Sequence, residues 1–239
     1  MKNTSKSPYI WTVLGYILAL FFLADLIMRL IYLTGFQLNS NHYNNYQEFV
    51  NKEIQLGYYV SFLNQILFII AVWILFFKTK WFGKRKIDFR IKDILYSIYG
   101  FLIKILISII MGIAFNLLGM EFTSVAPNQE RLEDFLQAYL ILGGIFSIVL
   151  APIIEEFIFR KVIIGHIFKN HKYIGLVVSS ILFGSLHLLA GFSVPGLIIY
   201  VSLGFILGWI YIKTERIEAS ITAHTFNNFI SVVLSQSLK

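Results

Sequence analysis

The chain has 239 residues, 57% hydrophobic and 14% charged, with a mean hydropathy of +0.73. Soluble domains carry about 25% charged residues, so this composition excludes a water-soluble globule. The absence of cysteine excludes disulfides, thiol nucleophiles and Cys-held metals.

Apolar stretches predict seven membrane spans, at about residues 9–33, 58–77, 94–119, 136–160, 174–190, 196–212 and 219–236. The expected fold is an all-α transmembrane bundle forming one integral membrane domain over residues 1–239. The net charge of +7 reads as topology. With the N-terminus in the cytoplasm, fifteen of the twenty Lys and Arg fall in inner segments, three fall outside and two lie within spans. That gives N-in and C-out, and it removes the need for a nucleic-acid partner. The partners expected are membrane lipids and a membrane-bound peptide or protein.

Charges within a span cost about 2.5–3.5 kcal/mol each, so each needs a partner or a purpose. In the first span, Asp25 and Arg29 stand four apart and can pair with each other. In the third, Lys104 lacks a local partner; it either snorkels or meets a carboxylate on another helix. The fourth span ends in "APIIEEFIFR". Glu156 and Arg160 are four apart and share a face, while Glu155 is turned from Arg160 by roughly 140°. Arg160 therefore neutralises Glu156, and Glu155 is left to take up a proton. Pro152 is expected to kink this helix and free a backbone carbonyl nearby.

The fifth span carries His187. Glu155 precedes and His187 follows His171 by the same sixteen residues. An antiparallel hairpin turning at His171 puts the two at one depth, provided the fourth helix runs on to about Phe168. The last span contributes His224 and Asn228, four apart on one face, with Asn227 turned away by about 100°. Glu155, His187, His224 and Asn228 can thus face one cavity in the cytoplasmic half of the bundle.

A carboxylate with two imidazoles can activate water in two ways. Glu155, His187 and His224 could hold a divalent metal such as zinc as a His₂Glu set, or the glutamate could act directly as general base. Asn and His donors can stabilise an oxyanion. Peptide-bond hydrolysis fits these parts. Other intramembrane protease patterns do not: H-E-x-x-H is absent, "FGSLH" lacks the second glycine of G-x-S-G, and Asp25 has no second aspartate in a span.

Three motifs in order, "EEFIFR" (Glu155, Glu156, Arg160), "FGSLH" (Phe183, His187) and "HTFNN" (His224, Asn228), resemble those of the CPBP intramembrane proteases. That family joins type II CAAX prenyl endopeptidases to bacterial bacteriocin-processing and immunity (Abi) proteins. The resemblance covers about residues 136–236, a catalytic core preceded by three helices and loops in 1–135. It implies a cavity open to the cytosol, Glu155 and His187 activating water, His224 and Asn228 as oxyanion site, and Glu156, Arg160 and Phe183 supporting them. Whether a metal takes part stays open at this level. Composition suits a multi-pass protein of a bacterial plasma membrane. The alternative is a non-catalytic bacteriocin-immunity protein or cell-envelope scaffold using the same helices.

Overall fold

The computed structural model describes residues 88–119, 140–188 and 191–237 continuously, with isolated positions between 11 and 70 and at 133, 136 and 137. The chain separates into two compact units, Met1–Arg85 and Lys86–Lys239. In the first, the described residues are helical positions, of which Val60 is buried. The expected Asp25–Arg29 pair lies outside the described residues.

The described part of the second unit is helical throughout, with no strand. Its elements are α1 (Ile91–Leu117), α2 (Leu140–Ile167), α3 (Lys172–His187), α4 (Val194–Thr214) and α5 (Ile217–Ser237). Helices α1, α2 and α4 are long and apolar enough to cross a bilayer, and α3 is apolar but shorter. Helix α5 has the length but carries Glu218, His224, Asn227 and Asn228. Outward-facing Ile94, Leu102, Leu106, Ile109 and Ile113 on α1 are exposed, an apolar surface suited to lipid.

Helix α2 is not a uniform α-helix. It runs as α over Leu140–Ile145, π over Phe146–Leu150, α over Ala151–Glu156 and π over Phe157–Ile167. Pro152 stands two residues after the first π segment, in the first turn of the next α segment. With no N–H to give, it breaks the i→i−4 ladder there, and such wide turns gather at functional sites. The helix continues seven residues past Arg160, caps at Phe168 and turns into α3 at His171, as the equal-depth hairpin requires.

Helices α3 and α4 lie close because glycines remove side chains where backbones meet. A Cβ on Gly204 would stand 3.0 Å from Ser180 Cα, and one on Gly184 would stand 2.9 Å from Val201 N. Close approach through small residues is a usual way for helices to associate in lipid. At the α4–α5 turn, Arg216 clamps α1. Its Nη1 and Nη2 donate to Asp93 Oδ1 and Oδ2 at 2.8 and 3.0 Å, with both side chains buried. The paired carboxylate raises the guanidinium pKa above its ordinary value, so the clamp stays charged even at alkaline pH.

Candidate active site

The site is built on the carboxylate of Glu156. Glu156 and Arg160 are fully buried and meet at 3.0 Å, Oε2 to Nε, the i,i+4 pair expected from spacing. Ser220 on α5 donates to the same Oε2. Oε1 accepts from His224 Nδ1 at 2.9 Å. Burying a carboxylate is tolerable only with such saturation. Arg160 also donates from Nη2 to the Gly204 carbonyl at 3.3 Å, reachable because α3 and α4 pack closely. Its guanidinium carbon lies 4.8 Å from the ring centre of Phe183, so an aromatic face covers a cation that carboxylate and carbonyl do not enclose.

Glu155 points elsewhere, as the helical angle predicts. Its Oε2 is buried without a hydrogen-bond partner. It stands 3.9 Å from His187 Nε2 and 3.8 Å from His224 Nε2. Both histidines therefore converge on one carboxylate oxygen from two different helices.

Each imidazole is fixed from its far side. His187 Nδ1 lies 2.9 Å from the Phe183 carbonyl. A carbonyl only accepts, so Nδ1 carries a proton and Nε2 is the atom turned toward Glu155. The ring is held between Phe183, tilted with centroids 4.4 Å apart, and Tyr200 on α4, stacked at 4.4 Å. His224 Nδ1 donates to Glu156, a partner of Arg160, so its Nε2 is likewise the inward atom. Phe183 meets His224 edge-on at 5.7 Å and is itself fully buried.

Asn228 does not stand alone with His224. Its Nδ2 donates to the Ser147 carbonyl at 2.8 Å, and its Oδ1 accepts from Asn227 Nδ2 at 3.0 Å. Asn227 Oδ1 in turn accepts from Lys104 Nζ at 2.8 Å. The partner of Lys104 is thus an amide, where a carboxylate was one of two expectations. The amide angle that turns Asn227 away from His224 turns it toward α1.

The oxygen and two nitrogens are the donor types of a His₂Glu metal site. Tetrahedral coordination with bonds of 2.0–2.1 Å would set such atoms about 3.3 Å apart, closer than the 3.8 and 3.9 Å seen here. Among the described residues, no group of three or more His, Cys, Asp or Glu is disposed to hold a metal ion. The arrangement as it stands does not fit one.

Sequence reasoning missed Ser220, Tyr200 and Ser147. Ser220 stands four residues before His224 on the same face of α5, a usable signal. Tyr200 and the Ser147 carbonyl come from helices whose rotation no local pattern fixes.

Glu155, Glu156, Arg160, His187 and His224 thus form one polar, charged cluster enclosed by apolar helices. Residues 137–230 match the family model of type II CAAX prenyl endopeptidase Rce1-like proteins. A Bacillus subtilis (strain 168) protein named as a membrane peptidase, YdiL, is 33% identical over 144 residues, 59% of this chain and 56% of its own length. The membrane-embedded CAAX protease MroQ of Staphylococcus aureus (strain USA300) is 25% identical over 191 residues, 75% of this chain and 76% of its own. The UPF0177 protein YvdC of Lactococcus lactis subsp. lactis (strain IL1403) is 25% identical over 154 residues, covering 64% and 58%. The chain thus spans little more than half of the first of these relatives. No solved structure matches. The motif-bearing segment is thus similar to Rce1-like CAAX prenyl endopeptidases and to proteins named as membrane peptidases.

Proposed function

We propose that the protein is an intramembrane endopeptidase in which Glu155 activates water for attack on a peptide carbonyl. The observation that carries this reading is the Oε2 of Glu155, buried, without a hydrogen-bond partner, and faced by two imidazole Nε2 atoms within 4 Å.

A water about 2.8 Å from both Glu155 Oε2 and His187 Nε2 donates one proton to each, which turns its oxygen lone pair toward the substrate. As that oxygen bonds to the carbonyl carbon, Glu155 takes the proton and the carbonyl electrons move onto oxygen. Glu156 and Arg160 cancel in charge, so Glu155 is the uncompensated negative group. A proton on His224 neutralises the set and supplies an Nε2–H donor for the oxyanion, with Glu156 supporting the imidazolium through Nδ1. Asn228 uses one amide N–H at Ser147 and has a second to offer. Collapse breaks the C–N bond while Glu155 returns its proton to the departing amine. Every step uses groups of this chain, and the glutamate serves as base without a metal.

The substrate class is a membrane-associated peptide or protein, entering a cavity that opens to the cytosol with the N-terminus inside. Maturation of a bacteriocin or signal peptide, or self-immunity, at a bacterial plasma membrane suits such an enzyme. The test compares new peptide termini in membranes and medium of cells expressing wild type or Glu155→Gln. Termini found only with wild type support proteolysis and name the substrate. None, with an identical host phenotype from both proteins, would replace the reading with a non-catalytic immunity or scaffold role.

A further inference from the structure

Lys104 is a cation in the middle of an apolar helix, outside the segment that matches the family model. Such a charge is costly and normally answered by an acid. Here the ammonium meets an amide oxygen, Asn227 Oδ1 at 2.8 Å, and the Phe101 ring at 5.9 Å from its centre. From there the bonds run in one direction. Asn227 Nδ2 donates to Asn228 Oδ1 at 3.0 Å, and Asn228 Nδ2 donates to the Ser147 carbonyl at 2.8 Å.

Both ends of this chain are unambiguous. An ammonium only donates and a carbonyl only accepts, so the two amides between them have one consistent orientation. Asn228 must turn its N–H₂ end, and not its oxygen, toward α2. A charged donor at the head also polarises each N–H that follows. Ser147 lies in the π segment of α2, so the chain ties α1 and α5 to the helix that carries Glu155.

We propose that Lys104 is a positioning residue for Asn228, setting and polarising its amide so that an N–H faces the developing oxyanion. This rests on the peptidase reading of the site. It adds to that reading a residue from α1, a helix that otherwise serves as scaffold.

The test uses full-length protein in nanodiscs with Lys104→Met, Lys104→Arg and Asn227→Asp. Asn227→Asp keeps an acceptor for Lys104, now charged, but has no N–H to give Asn228; it cuts the chain in the middle without orphaning the lysine. Lys104→Met and Asn227→Asp are each expected to lower kcat about tenfold or more with KM little changed. Lys104→Arg, which keeps charge and donor, is expected to recover most of the loss. Asn227→Asp should also melt close to wild type, separating position from stability. Side-chain amide resonances of ¹⁵N-labelled asparagine supply a readout independent of turnover: the Asn228 signals should move in Lys104→Met and return in Lys104→Arg. Unchanged Asn228 signals in Lys104→Met, or full kcat in Asn227→Asp, would overturn the proposal. A wild type with no peptidase activity would overturn the reading of the site, and the spectra would still decide whether Lys104 sets the amide.

Discussion

Glu156 Oε1 accepts from His224 Nδ1 at 2.9 Å while its Oε2 meets Arg160 Nε at 3.0 Å. One buried carboxylate therefore balances the arginine of its own helix and orients the histidine of another. Glu156→Gln keeps the shape but leaves Arg160 charged and uncompensated in an apolar interior. Loss of one partner from a buried pair costs about 3–5 kcal/mol. A clearly lower melting temperature in detergent is expected, together with lost activity; wild-type melting would refute the structural role.

Glu155 has no such scaffolding duty, since its Oε2 lacks a hydrogen-bond partner. Glu155→Gln should leave melting and membrane levels near wild type while lowering kcat by at least about 10³-fold, the loss of a general base in a water-activating site. Residual turnover within tenfold of wild type would remove Glu155 from its assigned role.

The sandwich of His187 between Phe183 and Tyr200 makes a separate prediction. Aromatic pairs contribute about 0.5–1.5 kcal/mol beyond area, so Tyr200→Ala should free the imidazole and lower kcat several-fold. Tyr200→Phe keeps the stacked ring and should retain most activity. Equal losses in both would place the effect in the hydroxyl instead.

If glutamate is the base, activity should persist in protein shown by elemental analysis to be metal-free, and a chelator should not abolish it. Inactivation by a chelator with recovery on adding zinc would require Glu155, His187 and His224 to close together, by roughly half an ångström, around an ion.

Gly204 stands against Ser180 backbone and Phe183, and its carbonyl receives Arg160. Gly204→Val would force α3 and α4 apart at that point. Overpacking costs about 1–3 kcal/mol, and loss of the Arg160 contact should add lost activity. Wild-type melting and turnover would show that the helices can yield there.

The parts of this fold that sequence reasoning reached are those that a single helix or one hairpin determines. Glu156 and Arg160 meet because four residues make one turn, and Glu155 with His187 meet because equal counts from His171 reach equal depth. The Glu156–His224 bond was hidden, because it depends on how α5 is rotated against α2. A helix apolar on most sides offers no stripe to reveal that angle. The Lys104–Asn227 contact was hidden for the same reason, although an unanswered cation announced that some partner existed. The π turns of α2 have no signal beyond Pro152, which suggests a kink but not its width.

Those wide turns make the site sensitive to counting. A π turn accommodates one residue more than an α turn, so Phe146–Leu150 amounts to a one-residue insertion lodged in the helix ahead of the glutamates. Relaxing the stretch to ordinary α geometry with that extra residue still in place would recover the ladder bonds that do not depend on Pro152. It would also swing the helix before it by about 100° relative to Glu155, carrying the Ser147 carbonyl away from Asn228. The chain would grow more regular and lose its alignment, so its working register is written in the number of residues as much as in their identities.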